Sequence, residues 1–253
     1  MKRKIIHLKE TDSTSSRLSD YQPPEDEEMT VVRADYQTAG RGNGANTWES
    51  EPGKNLLFSV MVHPKHVPVQ RQFLLSEAEA LAVKEVLDRY ADGFTLKWPN
   101  DIYWNDRKIS GTIIETRIGK EGVKRCIYGT GINVNQREFH GDAPNPVSLC
   151  QITGHELDLD HLFEQMLDAI EKYLGMLREN RFQDITALYH DALYRARGFH
   201  RFRDRMGEFE GSIVEVEDDG RLILRDRQCH LRSYAFKEVE FLLEKENNNI
   251  LKL

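Results

Sequence analysis

Val31-Val32-Arg33-Ala34-Asp35-Tyr36 is followed by Gln37-Thr38-Ala39-Gly40-Arg41-Gly42-Asn43-Gly44-Ala45-Asn46-Thr47-Trp48-Glu49-Ser50-Glu51-Pro52-Gly53-Lys54-Asn55 and then by Leu56-Leu57-Phe58-Ser59-Val60-Met61-Val62. The outer segments read as strands, the second buried on both faces because its apolar run is continuous. The connection is long and rich in glycine, which allows a backbone to turn tightly and to approach a ligand closely. Successive amides in such a loop form a nest for an anion. Arg41 adds a planar cation suited to phosphate or carboxylate, and Trp48 offers a face for stacking on a base. No Gly-Lys-Ser/Thr follows, so this is not a P-loop. A strand follows instead of a helix, which excludes the dinucleotide-binding fingerprint.

Outward from this stretch, strands and helices alternate irregularly. Ile5 to Leu8 reads as a short strand, and Asp12-Ser13-Thr14-Ser15-Ser16 as a helix start, since short oxygen-bearing side chains accept from the free amides of a first turn. Leu74, Ala78, Leu81, Ala82 and Glu85 recur at helical spacing within Phe73 to Tyr90. Phe94 to Trp98 alternates as a strand, with Phe94, Leu96 and Trp98 on one face and Thr95 and Lys97 on the other. Ile102 to Trp104 and Lys108 to Ile118 flank Asn105-Asp106, a hairpin turn. Val123 to Asn135 is a further strand, and Asp160 to Glu179 and Phe182 to Arg197 read as amphipathic helices. After Gly198 the pattern changes to short strands: Glu210 to Val216, Arg221 to Leu224, Arg232 to Phe236 and Val239 to Leu243. Asp218-Asp219-Gly220 marks a hairpin between the first two. This predicts two domains, 1–198 and 199–253, the second a small β-barrel.

The composition sets limits on function. Of 253 residues, 39% are hydrophobic and 30% charged, the mix of a globular protein with its own core. The net charge of −7 disfavours general binding to phosphate backbones. From Arg195 onward acidic and basic residues balance, so the excess lies on the first 194 residues. The run Glu25-Asp26-Glu27-Glu28 reads as a solvated loop. No apolar run approaches the length that spans a bilayer, and Met1 to His7 lacks the apolar core of a signal peptide. Cys126, Cys150 and Cys229 are scattered, with neither a disulfide framework nor zinc spacing. The expected setting is the cytoplasm, with no membrane partner and no bound metal.

Four segments carry the chemistry. Beside the glycine-rich loop stand Lys97-Trp98-Pro99-Asn100-Asp101, then Lys108-Ile109-Ser110-Gly111-Thr112-Ile113-Ile114-Glu115, then Gly129-Thr130-Gly131-Ile132-Asn133-Val134-Asn135. Singly, each reads as an ordinary strand whose glycines permit close packing, and Lys97 as a solvated lysine. In this order, with Ser13-Thr14 ahead of them, they resemble the biotin protein ligases over roughly residues 5–140. The Lys-Trp-Pro-Asn-Asp block is the most specific element. No N-terminal helix-turn-helix is found, so the resemblance is to the ligase-only type, without DNA as a partner.

The resemblance implies an α+β fold: a mixed β-sheet catalytic domain flanked by helices, of the class II synthetase-like biotin/lipoate ligase type, with a C-terminal SH3-like barrel. It implies two acyl transfers. Biotin and ATP, with Mg²⁺, give biotinyl-5′-AMP, and a lysine of a biotin carboxyl carrier domain then takes the acyl group. Lys97 and Arg41 are the implied catalytic residues. Ser13, Thr14, Ser15, Gln37, Gly40, Arg41, Gly42, Lys97 and Gly111 are the implied biotin contacts. Arg41, Asn43, Trp48, Lys97 and Asn133 are the implied nucleotide contacts. Asn100 and Asp101 are expected to hold the turn after the lysine. Members occur as monomers and as dimers, so a homodimer is among the expected assemblies.

One departure is visible. The family places Arg where this chain has Asn43, so the loop carries one arginine instead of two or three, and a weaker hold on the adenylate is expected. Two other readings share the sequence. A lipoate or octanoate protein ligase or transferase has the same fold, but the Lys-Trp-Pro-Asn-Asp block and the terminal β-module favour biotin. A non-catalytic biotin sensor is disfavoured by the intact Lys97.

Overall fold

The computed structural model describes residues 2–24, 27–42, 44, 46–120, 122–141, 143 and 145–243. They divide into two compact units, one ending at Tyr194 and the other starting at Arg195.

The first unit is built on β1 (Arg3–Thr11), α1 (Thr14–Asp20), β2 (Met29–Gln37), β3 (Leu56–Val62), α2 (Leu74–Leu87), β4 (Phe94–Lys97), β5 (Asp101–Trp104), β6 (Arg107–Gly119), β7 (Gly122–Ile132), α3 (Leu149–Thr153), α4 (Leu159–Arg178) and α5 (Phe182–Asp191). Seven strands form one sheet in the order β1-β2-β3-β7-β6-β5-β4. β1 and β2 are parallel, joined through α1, and the other neighbours are antiparallel. The mixed α+β sheet expected from the sequence is therefore present.

All seven residues of β3 are buried, as its unbroken apolar run requires. Alternation sends its side chains to two different layers. Met61 packs with Leu18 of α1, Val32 and Ile127 on one face. Phe58 points the other way and meets Phe163 of α4 edge-on, ring centroids 5.7 Å apart. On that second face α2 lies against α4 and α5. Enclosure on most sides explains why nearly every α2 residue is buried, Glu77 and Glu79 included. The α5 helix is shorter than the predicted Phe182 to Arg197. It stops at Asp191 because the chain turns to pair with β4: the Leu96 amide donates to the Ala192 carbonyl and the Tyr194 amide to Leu96. β7 likewise ends at Ile132, short of the predicted Asn135, where the Asn135 side chain instead bonds the backbone of Leu157. The short α3 has no apolar period long enough to announce it.

The second unit holds β8 (His200–Asp204), β9 (Gly207–Val216), β10 (Leu222–Asp226), β11 (Leu231–Tyr234) and β12 (Glu240–Phe241), an antiparallel sheet in the order β11-β10-β9-β8-β12. Gly220, at φ +90°, makes the predicted hairpin between β9 and β10. Five short antiparallel strands are consistent with an SH3-like module, although among the described residues no pairing closes the sheet into a barrel. No helix among the described residues is long and apolar enough to cross a membrane.

Burial pushes the Glu79 carboxyl up to about 7, against the opposing pull of hydrogen bonds from Thr130 and Thr112. The unfolded chain loses this proton near 4.5, so between pH 4.5 and 7 the folded state retains a proton that the unfolded state has released. Stability therefore falls as pH rises through that window, by about 3 kcal/mol from this group. Glu79→Gln removes the titration. Urea unfolding at a series of pH values should show the variant gaining on the wild type by about that amount between pH 4.5 and 7. A constant difference across the window would show that Glu79 does not titrate there.

Candidate active site

The site lies on the face of the sheet that α1 covers, where two cross-strand rows run side by side. One row is Ser59, Gly129 and Ile113. The other is Leu57, Gly131, Gly111, Asp101 and Lys97. Residues opposite one another in a ladder share a face, so three glycines stand together at the centre of the floor, with an acid and a lysine at its far end. Ser13, Thr14, Ser15, Gln37, Arg41, Trp48, Gly111, Ile113, Gly129, Thr130 and Gly131 line one solvent-open cavity.

Glycine is required in this floor by close approach. A Cβ on Gly129 would sit 2.2 Å from the Ser15 hydroxyl, and one on Gly131 would meet the Trp48 indole at 2.4 Å. The first turn of α1 and the Trp48 ring therefore rest directly on β7.

Hydrogen-bond bookkeeping gives the wall a direction. Gln37 Oε1 accepts from the Thr14 amide at 2.8 Å, which fixes the orientation of that carboxamide. Thr14 Oγ1 donates to the same oxygen at 3.0 Å. Thr14 Oγ1 therefore accepts from Ser59 Oγ at 2.7 Å, and Ser59 Oγ accepts from Ser15 Oγ at 3.0 Å. Each hydroxyl has one proton, so the relay runs Ser15 to Ser59 to Thr14 to Gln37. It leaves acceptor capacity on Ser15 and the two Nε2 hydrogens of Gln37. Before this turn, the Ser13 amide and the Thr11 hydroxyl hold the Asp12 carboxyl below its ordinary range.

The glycine-rich loop folds back on itself as it leaves β2. The Gly42 amide donates to Asn46 at 2.7 Å, the Trp48 amide to Gly40 at 2.9 Å, and Arg41 bridges Thr47. These two amides are thus used within the loop. Gly40 and Gly42 are not at positive φ; that conformation falls to Gly44 and Gly53, at +71° and +68°. Asn43 lies outside the described residues.

Three cations stand around the floor. Arg41 pairs with Glu115 of β6 at 2.7 Å. Lys108 pairs with Asp101 at 2.7 Å and lies 5.8 Å from the Trp48 ring centre. Lys97 Nζ lies 4.9 Å over the Tyr103 ring. Lys97 shares the floor's row without lining the cavity itself. Asn133 is buried and donates to the Val147 carbonyl at 3.2 Å, away from the cavity lining. The Asn100 carboxamide donates to the Thr112 carbonyl, and the Thr112 amide donates back to Asn100 at 3.0 Å. Asn100 thus ties the turn to β6, while the Asp101 side chain pairs with Lys108. Ser59, Ile113, Gly129, Thr130 and Gly131 were missed as site residues. Ser59 sits inside an apolar run, and only the strand register reveals its place. Among the described residues no three His, Cys, Asp or Glu side chains converge to hold a metal.

Residues 8–133 match the sequence signature of the biotin/lipoate A/B protein ligase family. The chain is 31% identical over 234 residues to the bifunctional ligase/repressor BirA of Bacillus subtilis, covering 90% of this chain and 70% of that one. The chain belongs to this family. Another member, the biotin–[acetyl-CoA-carboxylase] ligase of Paracoccus denitrificans, is 27% identical over 225 residues, covering 86% of this chain and 92% of its own. Among solved structures, the biotin protein ligase from Aquifex aeolicus in complex with biotin and ATP superposes with a TM-score of 0.77 at 28% identity, over 95% of this chain and 99% of that one. The family signature spans the floor, the α1 turn, the glycine-rich loop and Lys97 together.

A glycine substitution tests the close-packed floor without any ligand. Gly131→Ala forces the Trp48 ring away and should cost about 1–3 kcal/mol by overpacking, with altered tryptophan emission. Gly175→Ala in α4, where a Cβ meets nothing within 4 Å, should instead stabilise by up to about 1 kcal/mol. Chemical denaturation of the two variants checks both signs, and an unperturbed Gly131→Ala would show that Trp48 does not lie on the floor.

Proposed function

We propose that the protein activates biotin with ATP and transfers it to a lysine of a biotin carboxyl carrier domain. The observation that carries this reading is one cavity walled by a neutral hydrogen-bonding relay and by Arg41, with Lys108 and Lys97 beside its glycine floor. Biotin has matching ends. Its ureido ring is neutral, with N–H donors and one carbonyl acceptor, and its valerate chain ends in a carboxylate. Ser15 Oγ offers the acceptor and Gln37 Nε2 the donor that such a ring needs. Ile113 and the glycine backbone of the floor offer apolar surface for the valerate chain, and Arg41, Lys108 and Lys97 are the cations available to the carboxylate and the phosphates.

In the first step a carboxylate oxygen attacks the α-phosphorus of ATP, the bond to the β,γ-diphosphate breaks, and biotinyl-5′-AMP and pyrophosphate result. Both reactants are anionic, and negative charge accumulates on the phosphoryl oxygens. Positive charge already fixed in place lowers that barrier without reorganisation. The pairing of Arg41 with Glu115 and of Lys108 with Asp101 supports such fixing. In the second step the neutral amine of the carrier lysine attacks the acyl carbon, the acyl–phosphate bond breaks, AMP leaves, and the amine loses its proton. Trp48, whose ring lies close to the Gly131 backbone, is the aromatic face available to stack on the adenine. Mg²⁺ entering with ATP would supply further positive charge at the phosphate oxygens.

Biotin-dependent ATP–pyrophosphate exchange, followed by a streptavidin blot of a carrier domain incubated with enzyme, biotin and ATP, tests both steps. Exchange supported by lipoate or octanoate in place of biotin would assign the other branch of the family. Binding of biotin without exchange would assign a sensor. Lys97→Ala should retain the fold and lose exchange by about 10²–10³-fold, the usual cost of removing one transition-state charge contact. Near-normal exchange by the folded variant would remove Lys97 from the mechanism.

A further inference from the structure

Behind the floor, on the opposite face of the sheet, stands a group that the reaction above does not use. Thr112 of β6 and Thr130 of β7 are directly opposite one another, and both donate to the same oxygen of Glu79, Oε1, at 3.0 and 2.7 Å. With each hydroxyl proton committed to Glu79, the 3.1 Å contact between the two threonine oxygens is a convergence on one acceptor. All three side chains are buried.

No cation is recorded against Glu79 among the described residues. The titratable groups nearest in its surroundings are Tyr128 and Cys126 of β7, both held neutral by burial. On α2, Glu77 is engaged by Thr186 of α5, and Glu85 by Lys172 and Tyr173 of α4.

The threonines alternate with the floor. Thr112 follows Gly111, and Thr130 separates Gly129 from Gly131. Floor glycines have no side chains, so beyond the backbone ladder it is the reverse-face pair Thr112 and Thr130, bonded to one oxygen of Glu79, that ties β6 to β7 beside them. We propose that Glu79 is a positioning residue for the substrate cavity, holding Thr112 and Thr130 and through them the glycine backbone that carries the cavity's Ser15 and Trp48 walls. The inference rests on the reading of that cavity as the biotin site. As a carboxylate, Glu79 draws both hydroxyl protons strongly. Protonated, it is a weaker acceptor, and the two threonines are close enough to bond each other instead. The floor is therefore most firmly set in the ionised state, and a preorganised site binds more tightly.

The test is equilibrium binding of biotin alone to the full chain at pH 6 and pH 8, read by calorimetry. Circular dichroism confirms folding of each variant. The wild type should bind about fivefold more weakly at pH 6, the difference between a charged and a neutral acceptor. Glu79→Gln should lose that pH dependence. Thr112→Val should weaken binding at pH 8 and Thr112→Ser should restore it, a pattern that keeps the test decisive even if the Glu79 variant fails to fold. Wild-type binding that is indifferent to pH, or a folded Glu79→Gln with the wild-type pH dependence, overturns the inference and leaves the substrate reading intact. No biotin binding by the wild type at either pH overturns both.

Discussion

The contact on which the rest of the first unit depends is the seating of Ser15 and Trp48 on the bare backbone of β7. A central strand ordinarily carries side chains on both faces, and glycine in its interior weakens it. Here one face of β7 is stripped at Gly129 and Gly131 so that a helix turn and an indole can reach the chain itself. The opposite face compensates. Phe58, Thr130 and Thr112 lie across three adjacent strands there, packed and bonded by α4 and α2. The sheet centre is thus asymmetric by construction: open and polar where a ligand would lie, filled and anchored behind.

Much of the fold was legible in the sequence because its strongest signals are local. β3 is an unbroken apolar run, and the turns at Asn105-Asp106 and Asp218-Asp219-Gly220 carry residues that tolerate the required dihedrals; Asn105 sits at φ +51° and Gly220 at +90°. What was not legible is what depends on tertiary pairing. The end of α5 is decided by bonds from β4, nearly a hundred residues earlier in the chain. The burial of Glu77 and Glu79 breaks the apolar pattern of α2, because each is satisfied by a hydroxyl from a distant element.

The candidate site divides in the same way. Ser13, Thr14, Ser15, Gln37, Arg41, Trp48 and Gly111 are conspicuous in the sequence and line one cavity. Ser59 is not, since a lone serine in a seven-residue buried strand reads as a packing residue until the register sets it beside Gly129. The glycine-rich loop was legible as a loop, but its hairpin bonding was not. Which amides a loop spends on itself is a matter of conformation that composition does not encode.

The charges of the site follow a consistent rule. Arg41 and Lys108 are each met by one carboxylate from the same face of the sheet. Partly exposed pairs of this kind contribute about 0–1 kcal/mol to stability, so their value to the fold is small. Their effect on geometry is larger. A long cationic side chain without a partner samples many rotamers, and the entropy of ordering it would fall on the ligand at the moment of binding. A carboxylate partner removes part of that cost in advance, yet lowers the net field that an incoming anion meets. The arrangement exchanges some electrostatic attraction for position, a favourable exchange where two anionic groups must be brought onto one line before any charge moves.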